Sequence, residues 1–343
     1  MTSMPGFDFN QRPFLVVWEA TRACALACRH CRASSQPKPH PRQLATDEGF
    51  RLLDQVVRAE PAIFILTGGD PAHRPDYKEL LKYAAGKNLR VALSPSATPQ
   101  LLKTDFNELK ALGVARMSLS LDGASRETHN AFRGVAKSWD WTMQALKRAR
   151  DAALPIQINS TFTRQNIGEF EQFTRLLEEL KPAAWTVFLL VPTGRGKVGD
   201  LLSGEELEEL FNRLYDFSLK APFPVKTTEG QHYRRVALQR GQKPEEVSGV
   251  NDGKGFVFIS HTGEICPSGF LPCVAGNVRT DELADVYRNS PVFRELRDSK
   301  LLKGKCGRCE FKEICGGSRA RAFALTGDYL AEEPLCVYEP LKC

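Results

Sequence analysis

The sequence contains no apolar run long enough to cross a membrane, and Met1 to Pro13 lack the apolar core of a signal peptide. It also lacks a strong excess of one charge, since 47 Lys and Arg against 41 Asp and Glu leave a net charge of +6. The basic residues are scattered, so a nucleic-acid-binding surface is not predicted. We expect a soluble cytoplasmic protein with no membrane span and no nucleic-acid partner.

Disulfides are not expected, although the chain has ten cysteines. Thiols stay reduced in a protein that is not exported, which favours their use in metal or redox sites. Three of the cysteines lie near the start, and seven lie between Cys266 and Cys343. A chain of 343 residues has room for a barrel and a smaller cysteine-rich unit.

The first cysteine group is Cys24, Cys28 and Cys31, spaced C-x3-C-x2-C directly after an apolar run. Three thiolates can hold three irons of a [4Fe-4S] cluster and leave the fourth iron open to a small molecule. A structural cluster would need a fourth cysteine, and none is near. Two alternatives remain, which are a zinc site completed by His30 and three buried cysteines without metal.

Strand-like and helix-like segments alternate over the first part of the chain. The predicted strands are 14–20, 62–66, 90–93, 116–121, 156–162 and 185–191. Six consecutive βα units predict an α/β fold with a parallel sheet and right-handed crossovers, a partial (βα)6 barrel. Functional groups of such barrels gather at the carboxyl ends of the strands, where the first cysteine group lies.

Three helices have clear sequence signals. One is predicted over 47–58 with Thr46 as its N-cap, and a second has an apolar face between Phe170 and Leu180. The third opens with the capping box Ser203 and Glu206 and ends near Lys220.

The alternation is expected to stop after that helix. We predict a barrel domain over 1–220, a connector over 221–254, and a cysteine-rich domain over 255–343. A hairpin with its turn at Thr262 and Gly263 opens the last domain. Because this domain has little room for a core, we expect a metal site to stabilise it.

The second cysteine group begins with Cys306, Cys309 and Cys315, spaced C-x2-C-x5-C, and Cys336 follows after twenty more residues. Four thiolates can close a [4Fe-4S] or a zinc site. Zinc remains open here, because C-x2-C pairs are common in zinc ribbons.

Small polar residues follow several predicted strands and are candidates for ligand binding. The alternative is ordinary turn chemistry, since Gly-Gly, Asp-Gly and Ser-Pro form turns without a ligand. The candidates are Gly68, Gly69, Asp70, Ser94, Ser118, Ser120, Asn159 and Arg195.

Together, the cysteine spacing after the first strand, the Gly68-Gly69-Asp70 motif and the C-terminal cysteines resemble radical S-adenosylmethionine (SAM) enzymes with a SPASM-like auxiliary domain. The resemblance implies that the first cluster binds SAM and reduces it to a 5'-deoxyadenosyl radical. Gly68 to Asp70 stand where the family has Gly-Gly-Glu, which accepts hydrogen bonds from the SAM amino group. Ser118, Ser120 and Asn159 match SAM-contacting strand positions, and Arg195 is a candidate partner of the SAM carboxylate.

The C-terminal domain lacks some cysteines of the SPASM pattern, and this affects how many clusters it can hold. Arg319 stands where a further cysteine is expected, and the G-x4-C element after Gly276 is missing. Only Cys266 and Cys273 remain of the first auxiliary set. We therefore predict one auxiliary [4Fe-4S] cluster, with Cys343 as a bystander.

The runs Trp18–Cys24, Gly276–Arg279, Cys315–Arg321 and Thr326–Asp328 resemble a narrower group, the maturases of heme d1 and of siroheme-route heme. Those enzymes act on porphyrin propionates by decarboxylation or side-chain loss. The resemblance implies a tetrapyrrole substrate and a flavodoxin- or ferredoxin-like electron donor. Arg133, Arg195, Arg319 and Arg321 are candidates to pair with propionates, and the alternative is that these arginines are solvated or pair with local acids.

Two other functions stay open. A radical SAM maturase of a ribosomally made peptide has the same motifs, although no peptide-binding domain is visible before the barrel. A cysteine-rich zinc-binding scaffold would need no cluster at all. No side chain is predicted to be catalytic.

Overall fold

The computed structural model describes residues 7–341, so Cys343 and the start of the chain lie outside the described residues. This part of the chain has ten strands. They are β1 (Leu15–Glu19), β2 (Ile63–Thr67), β3 (Val91–Leu93), β4 (Val114–Ser120), β5 (Ile156–Phe162), β6 (Ala184–Leu189), β7 (Val225–Thr228), β8 (Phe256–Ile259), β9 (Glu264–Cys266) and β10 (Gly276–Asn277).

The described chain also has fourteen α-helices. They are α1 (Thr46–Arg58), α2 (Tyr77–Gly86), α3 (Pro99–Leu102), α4 (Phe106–Ala111), α5 (Arg126–Arg133), α6 (Ser138–Asp151), α7 (Phe170–Leu180), α8 (Gly204–Ser218), α9 (His232–Gln239), α10 (Pro244–Val247), α11 (Leu283–Asn289), α12 (Pro291–Arg297), α13 (Gly304–Arg308) and α14 (Arg319–Thr326). None of the described helices is long and apolar enough to span a bilayer.

All ten strands form one sheet in the order β10-β9-β8-β1-β2-β3-β4-β5-β6-β7. Neighbours from β1 to β6 are parallel and follow chain order. The predicted partial barrel is confirmed. The predicted strand 156–162 coincides with β5, and the other five predicted strands differ from the observed ones by one or two residues at one or both ends. Right-handed crossovers through helices make this order the simple outcome of six βα units.

The prediction that the alternation stops near Lys220 is wrong. The segment expected to be a connector contains β7, which pairs in parallel with β6, and the helices α9 and α10. Only four residues long and followed closely by Gly230, β7 is too short to be recognised by its pattern. At the other edge β8 lies parallel to β1, so the sheet gains a strand on each side. The domain boundaries at 220 and 254 stay a prediction.

The start of α1 also differs from its prediction, while two other helix predictions are confirmed. Thr46 is the first helical residue, not the N-cap, and its hydroxyl donates to Asp76 at 2.8 Å. The N–H of Ala45 is instead accepted by Glu48 at 2.8 Å. The capping box of Ser203 and Glu206 opens α8 as predicted, and α7 covers Phe170–Leu180.

The two faces of the parallel strands have different side chains, because neighbouring residues of a strand point to opposite faces. The outer face packs under the helices in one large core. This core includes Val16, Trp18, Phe64, Leu66, Val91, Leu93, Met117, Leu119, Ile156, Ile158, Trp185 and Val187. The inner face therefore carries the polar residues of the strands, among them Glu19, Ser118 and Asn159.

The predicted hairpin is confirmed. β8 and β9 pair antiparallel, and Gly263 in the turn has a φ of +90°, which only glycine adopts without strain. The hairpin brings His261 and Cys266 close to the carboxyl end of β1.

Candidate active site

The first cysteine group lies in the loop after β1, at the carboxyl end of the sheet. Cys24 and Cys28 are buried, and Cys31 is partly exposed. Two backbone bonds close this loop, since Cys24 N–H donates to the Gln36 carbonyl at 2.9 Å and Gln36 N–H donates to the Arg22 carbonyl at 3.0 Å. The loop therefore has a defined shape before any ligand is added.

Each of the three sulfurs accepts one nitrogen donor. Leu26 N–H donates to Cys24 Sγ at 3.3 Å, and Ser35 N–H donates to Cys31 Sγ at 3.4 Å. Such donors stabilise the thiolates that ligate iron-sulfur clusters and tune their potential. The third donor is a side chain, Arg133 Nη1, at 3.4 Å from Cys28 Sγ. The donor set thus fits three cluster ligands.

The zinc alternative for this loop needs His30 as its fourth ligand. The His30 ring packs on Phe132 with centroids 4.6 Å apart.

Arg133 is buried, and its guanidinium pairs with Asp122 Oδ2 at 2.6 Å. Burial acts to raise the pKa of Asp122, but the Arg133 charge outweighs it and holds that pKa below its usual value. The interpretation of Arg133 as a propionate partner is therefore wrong, because its charge is already used by Asp122 and by the Cys28 sulfur.

Arg195 also faces the cysteine loop. Its Nε donates to the Cys28 carbonyl at 2.8 Å, and its Nη1 donates to the Ser35 carbonyl at 3.0 Å. The adjacent Gly194, with a φ of +61°, lies so close that an added Cβ would come within 2.4 Å of the Cys31 carbonyl oxygen. The loop after β6 thus packs against the cysteine loop and holds it in place. The Arg195 guanidinium already donates to two carbonyls of that loop and is not free to pair with a propionate. A contact between Arg195 and SAM stays a prediction.

Gly68 and Gly69 pack directly on the start of the cysteine loop. Gly69 N–H donates to the Thr21 carbonyl at 2.6 Å, and a Cβ on Gly69 would lie 2.6 Å from the Ala23 carbonyl oxygen. Both glycines are therefore required by the packing of two loops, in addition to any contact that they make with SAM. Their binding of SAM stays a prediction.

Asp70 is fully buried and joins the loops after β2 and β3. Its carboxylate accepts from Ala72 N–H at 3.2 Å, Ser96 N–H at 3.3 Å and the Thr98 hydroxyl at 2.8 Å. His73 Nδ1 lies 3.1 Å from it. These contacts give Asp70 a positioning role, and its contact with SAM stays a prediction.

The predicted polar strand residues lie side by side on the inner face of the sheet. Ser120 is in register with Asn159, and Leu93 with Met117, which places Ser94 beside Ser118. Gln157 donates to the Asn159 side-chain oxygen at 2.8 Å, so that amide is oriented. The structure brings these four candidates to one wall of the barrel, where their role as SAM contacts stays a prediction.

The second cysteine group lines one cavity that is partly open to solvent. Its lining includes all four predicted ligands, Cys306, Cys309, Cys315 and Cys336. Side chains from α13, from the loop before α14 and from the C-terminal segment thus converge on one space, as a cluster site requires.

One of these four sulfurs accepts a backbone hydrogen bond, since Glu333 N–H donates to Cys306 at 3.3 Å. Near the other three cysteines, the backbone amides of Phe311, Gly317 and Tyr338 act to lower the pKa of the Cys309, Cys315 and Cys336 thiols. Burial raises the pKa of Cys315 to about 12, so the free thiol is protonated at neutral pH and ligation must release that proton.

Arg319 and Arg321 were expected to pair with propionates, and the structure contradicts both expectations. Arg319 donates to the carbonyls of Tyr329 and Ala331. Arg321 is fully buried and pairs with Glu333, with Nε at 2.8 Å from the carboxylate. Both arginines stabilise the C-terminal unit from within and have no access to a substrate.

Cys266 and Cys273 lie outside the four-cysteine cavity. Cys266 packs with Val17 and Phe258, whereas Cys273 packs at the edge of a cluster that contains Leu271.

Glu19 is a buried residue of the site that sequence reasoning missed. It is the last residue of β1, and its carboxylate accepts from Arg32 Nη2 at 2.6 Å and lies 3.0 Å from His261 Nδ1. Burial opposes ionisation, but Arg32, His261 and Arg22 outweigh it and lower the pKa of Glu19 to about 2. An acidic residue at the end of an apolar strand, directly before the cysteine loop, was the available signal.

The parallel barrel, a three-cysteine loop after its first strand and a four-cysteine C-terminal unit define the class of protein. The radical SAM superfamily model matches residues 18–177, and the SPASM model, an iron-sulfur cluster-binding domain, matches residues 251–310. The chain belongs to the radical SAM superfamily and is an enzyme. These domains imply a [4Fe-4S] cluster with SAM and auxiliary iron-sulfur binding.

Similar proteins narrow the class further. The AdoMet-dependent heme synthase of Nitratidesulfovibrio vulgaris is 42% identical over 96% of this chain and 93% of that protein. That of Methanosarcina barkeri is 40% identical over 96% of this chain and 98% of that protein. A mycofactocin maturase of Mycobacterium tuberculosis is 30% identical over 95% of this chain and 83% of that protein.

Solved structures confirm the fold. Streptococcus suis SuiB bound to its precursor peptide SuiA superposes with a TM-score of 0.77 at 18% identity, covering 96% of this chain and 76% of that chain. At such identity the likeness concerns the fold alone.

Proposed function

We propose that this enzyme makes heme by SAM-dependent oxidative decarboxylation of porphyrin propionates, with an iron coproporphyrin as substrate. The observation that carries the proposal is the 42% identity with an AdoMet-dependent heme synthase along nearly the whole of both chains. Peptide maturases are more distant, at 30% identity, although they share the fold.

We assign the SAM-binding cluster to Cys24, Cys28 and Cys31, and one auxiliary [4Fe-4S] cluster to the four cysteines of the C-terminal cavity. Three ligands leave one iron for SAM, whereas four ligands close the second cluster. When bound, the first cluster and SAM supply an electron and an adenosyl radical that removes a hydrogen atom. The proposal is supported by the nitrogen donors at the sulfurs of Cys24, Cys28, Cys31 and Cys306.

Two propionates are converted on the way from iron coproporphyrin to heme, and each decarboxylation balances with one surplus electron. Removal of a hydrogen atom from the propionate, followed by loss of carbon dioxide and one electron, leaves a vinyl group. A cluster at Cys306, Cys309, Cys315 and Cys336 would supply an acceptor for that electron.

The protein's own residues hold the reacting groups in position and exclude water. Ser94, Ser118, Ser120 and Asn159 offer hydrogen bonds to SAM along the inner wall. Gly68, Gly69, Asp70 and Arg195 keep the surrounding loops in place and complete the SAM site. We further propose that the enzyme works in the cytoplasm with a flavodoxin- or ferredoxin-like electron donor.

The test uses the anaerobically reconstituted enzyme with SAM, a reductant and iron coproporphyrin III. We expect a shift of the Soret band on binding, followed by formation of heme, carbon dioxide and 5'-deoxyadenosine. The proposal fails if no porphyrin shifts the Soret band and a peptide is turned over instead, a result that would favour the maturase alternative. A colourless protein that contains zinc and no iron would favour the scaffold alternative.

A further inference from the structure

Three cations lie on the inner face of the barrel, and we call them the inner-wall cations: Arg90, Arg116 and Lys226. Arg116 is in register with Ala92 of β3, and Lys226 is in register with Thr186 of β6. Their strand neighbours Met117 and Val225 pack in the outer core, so these two cations face inward. Arg90 lies on the face opposite to Val91, which belongs to the same core.

A backbone irregularity directs Arg116 inward. The pairing of β3 with β4 shifts register between Val91 and Ala92, because Val91 pairs with Val114 and Ala92 pairs with Arg116. The extra residue, Ala115, is a β-bulge, and bulges change the direction of the side chains that follow.

The inner-wall cations differ from the buried arginines of the site. Within residues 7–341, none of their three side chains has a hydrogen bond or an ion pair. Arg90 and Lys226 are exposed, and Arg116 is partly exposed, so an incoming ligand can reach them. Unpaired cations that are grouped on the inner face of a barrel attract anions.

The three charges are also close to one another. Although much of the Lys226 side chain is exposed, partial burial of its ammonium lowers the pKa of Lys226, and the charges of Arg116 and Arg90 lower it further. Like charges that lie close together repel each other, and a bound anion relieves this repulsion. The cluster therefore favours a carboxylate ligand.

We infer that Arg116 and Lys226, assisted by Arg90, bind the carboxylates of those propionates that the reaction leaves intact, and so fix which propionates face SAM. This inference rests on the proposed function. Four residues separate Arg116 from Ser120, which is about 13 Å along a strand. A porphyrin whose retained propionates lie on the inner-wall cations thus extends along the wall toward Ser120, and its opposite edge faces the cysteine loop.

The chemistry of recognition follows from the side chains. A guanidinium can hold a carboxylate through two parallel hydrogen bonds, whereas an ammonium acts as a point charge. Iron coproporphyrin carries propionates at both edges, and heme keeps only those of one edge. The inner-wall cations would therefore hold substrate and product by the same carboxylates.

The experiment is anaerobic titration of the holoenzyme with iron coproporphyrin III, followed through the Soret band. Arg116→Met and Lys226→Met should each raise the Kd roughly 10- to 100-fold, as expected for loss of a charged hydrogen bond. Arg116→Lys should recover part of the affinity, because the charge remains. We also expect a result for the double variant that combines Arg116→Met with Lys226→Met. The unaltered enzyme should bind the propionate methyl ester of iron coproporphyrin III as weakly as this double variant binds the free acid.

Two controls match these changes in charge. Arg150→Met in α6 and Lys82→Met in α2 remove exposed cations on the outer helices and should leave the Kd unchanged. Iron content and cluster absorbance report whether each variant is folded. Tight binding by the unaltered enzyme together with unchanged affinity in folded Arg116→Met and Lys226→Met would overturn this inference alone. Absence of binding by the unaltered enzyme would overturn the proposed function and the inference with it.

Discussion

Arg133 Nη1 lies 3.4 Å from Cys28 Sγ, while the same guanidinium pairs with the Asp122 carboxylate. Arg133 closes α5 and Asp122 follows β4, so this contact joins the cysteine loop to another βα unit. A buried cation beside a cluster ligand stabilises the thiolate and also neutralises a buried carboxylate.

The first prediction concerns Arg133→Met. The change leaves Asp122 as an unpaired buried charge and should lower the free energy of unfolding by roughly 3–5 kcal/mol. Loss of the cation should also make the reduction potential of the first cluster more negative, which EPR-monitored redox titration can measure. Arg126→Met in the same helix, at an exposed ion pair with Asp140, is the control and should change neither the free energy of unfolding nor the reduction potential.

A double variant separates the two roles of Arg133. Arg133→Met combined with Asp122→Asn should recover stability without recovering the reduction potential. An unaltered potential in either variant would remove Arg133 from the site.

The second prediction concerns the first cluster. Replacing Cys24, Cys28 and Cys31 by Ala should remove about four irons per chain and abolish reductive cleavage of SAM. Iron analysis and 5'-deoxyadenosine measured by chromatography provide the two readouts. Persistent cleavage of SAM by the triple variant would show that the radical is generated elsewhere.

The third prediction concerns the C-terminal site. The same triple variant should keep about four irons and give a low-potential EPR signal from the four-cysteine cavity. Adding Cys309→Ala should remove that signal. Zinc in place of iron in anaerobically purified protein would make this site structural, and an intermediate iron content would indicate that Cys266 or Cys273 takes part.

The fourth prediction concerns Gly69→Val. From the motif alone, such a change should weaken SAM binding and leave the cluster intact. The structure predicts a larger effect, because a Cβ at Gly69 lies 2.6 Å from the Ala23 carbonyl oxygen and must displace the cysteine loop. Cluster absorbance should therefore fall together with SAM affinity. Gly86→Ala, where an added Cβ meets nothing within 4 Å, is the control and should retain both. If Gly69→Val keeps the whole cluster and loses only SAM binding, then Gly69 contributes to SAM binding alone, as the motif by itself predicts.

Some features of the protein are local and were predictable from the sequence. The spacing of Cys24, Cys28 and Cys31 defines which thiols can reach one cluster, and the apolar runs of β1 to β6 define a parallel sheet. The hairpin at Gly263 and the capping box of Ser203 and Glu206 also depend on neighbouring residues only. Each of these signals is complete within a short segment, and the energies that produce it act over a few residues.

Only the tertiary structure decided which basic side chains are paired within the protein and which are available to a ligand. Arg133, Arg319 and Arg321 are candidate substrate-binding residues in the sequence, but each is buried with a partner in another segment, ten to twelve residues away along the chain. Arg116 and Lys226 carry no motif, and they face the barrel interior because of a bulge and because of a seventh strand too short to be predicted. The pairing of a charge depends on contacts between distant segments, and these exist only once the sheet has brought its strands together.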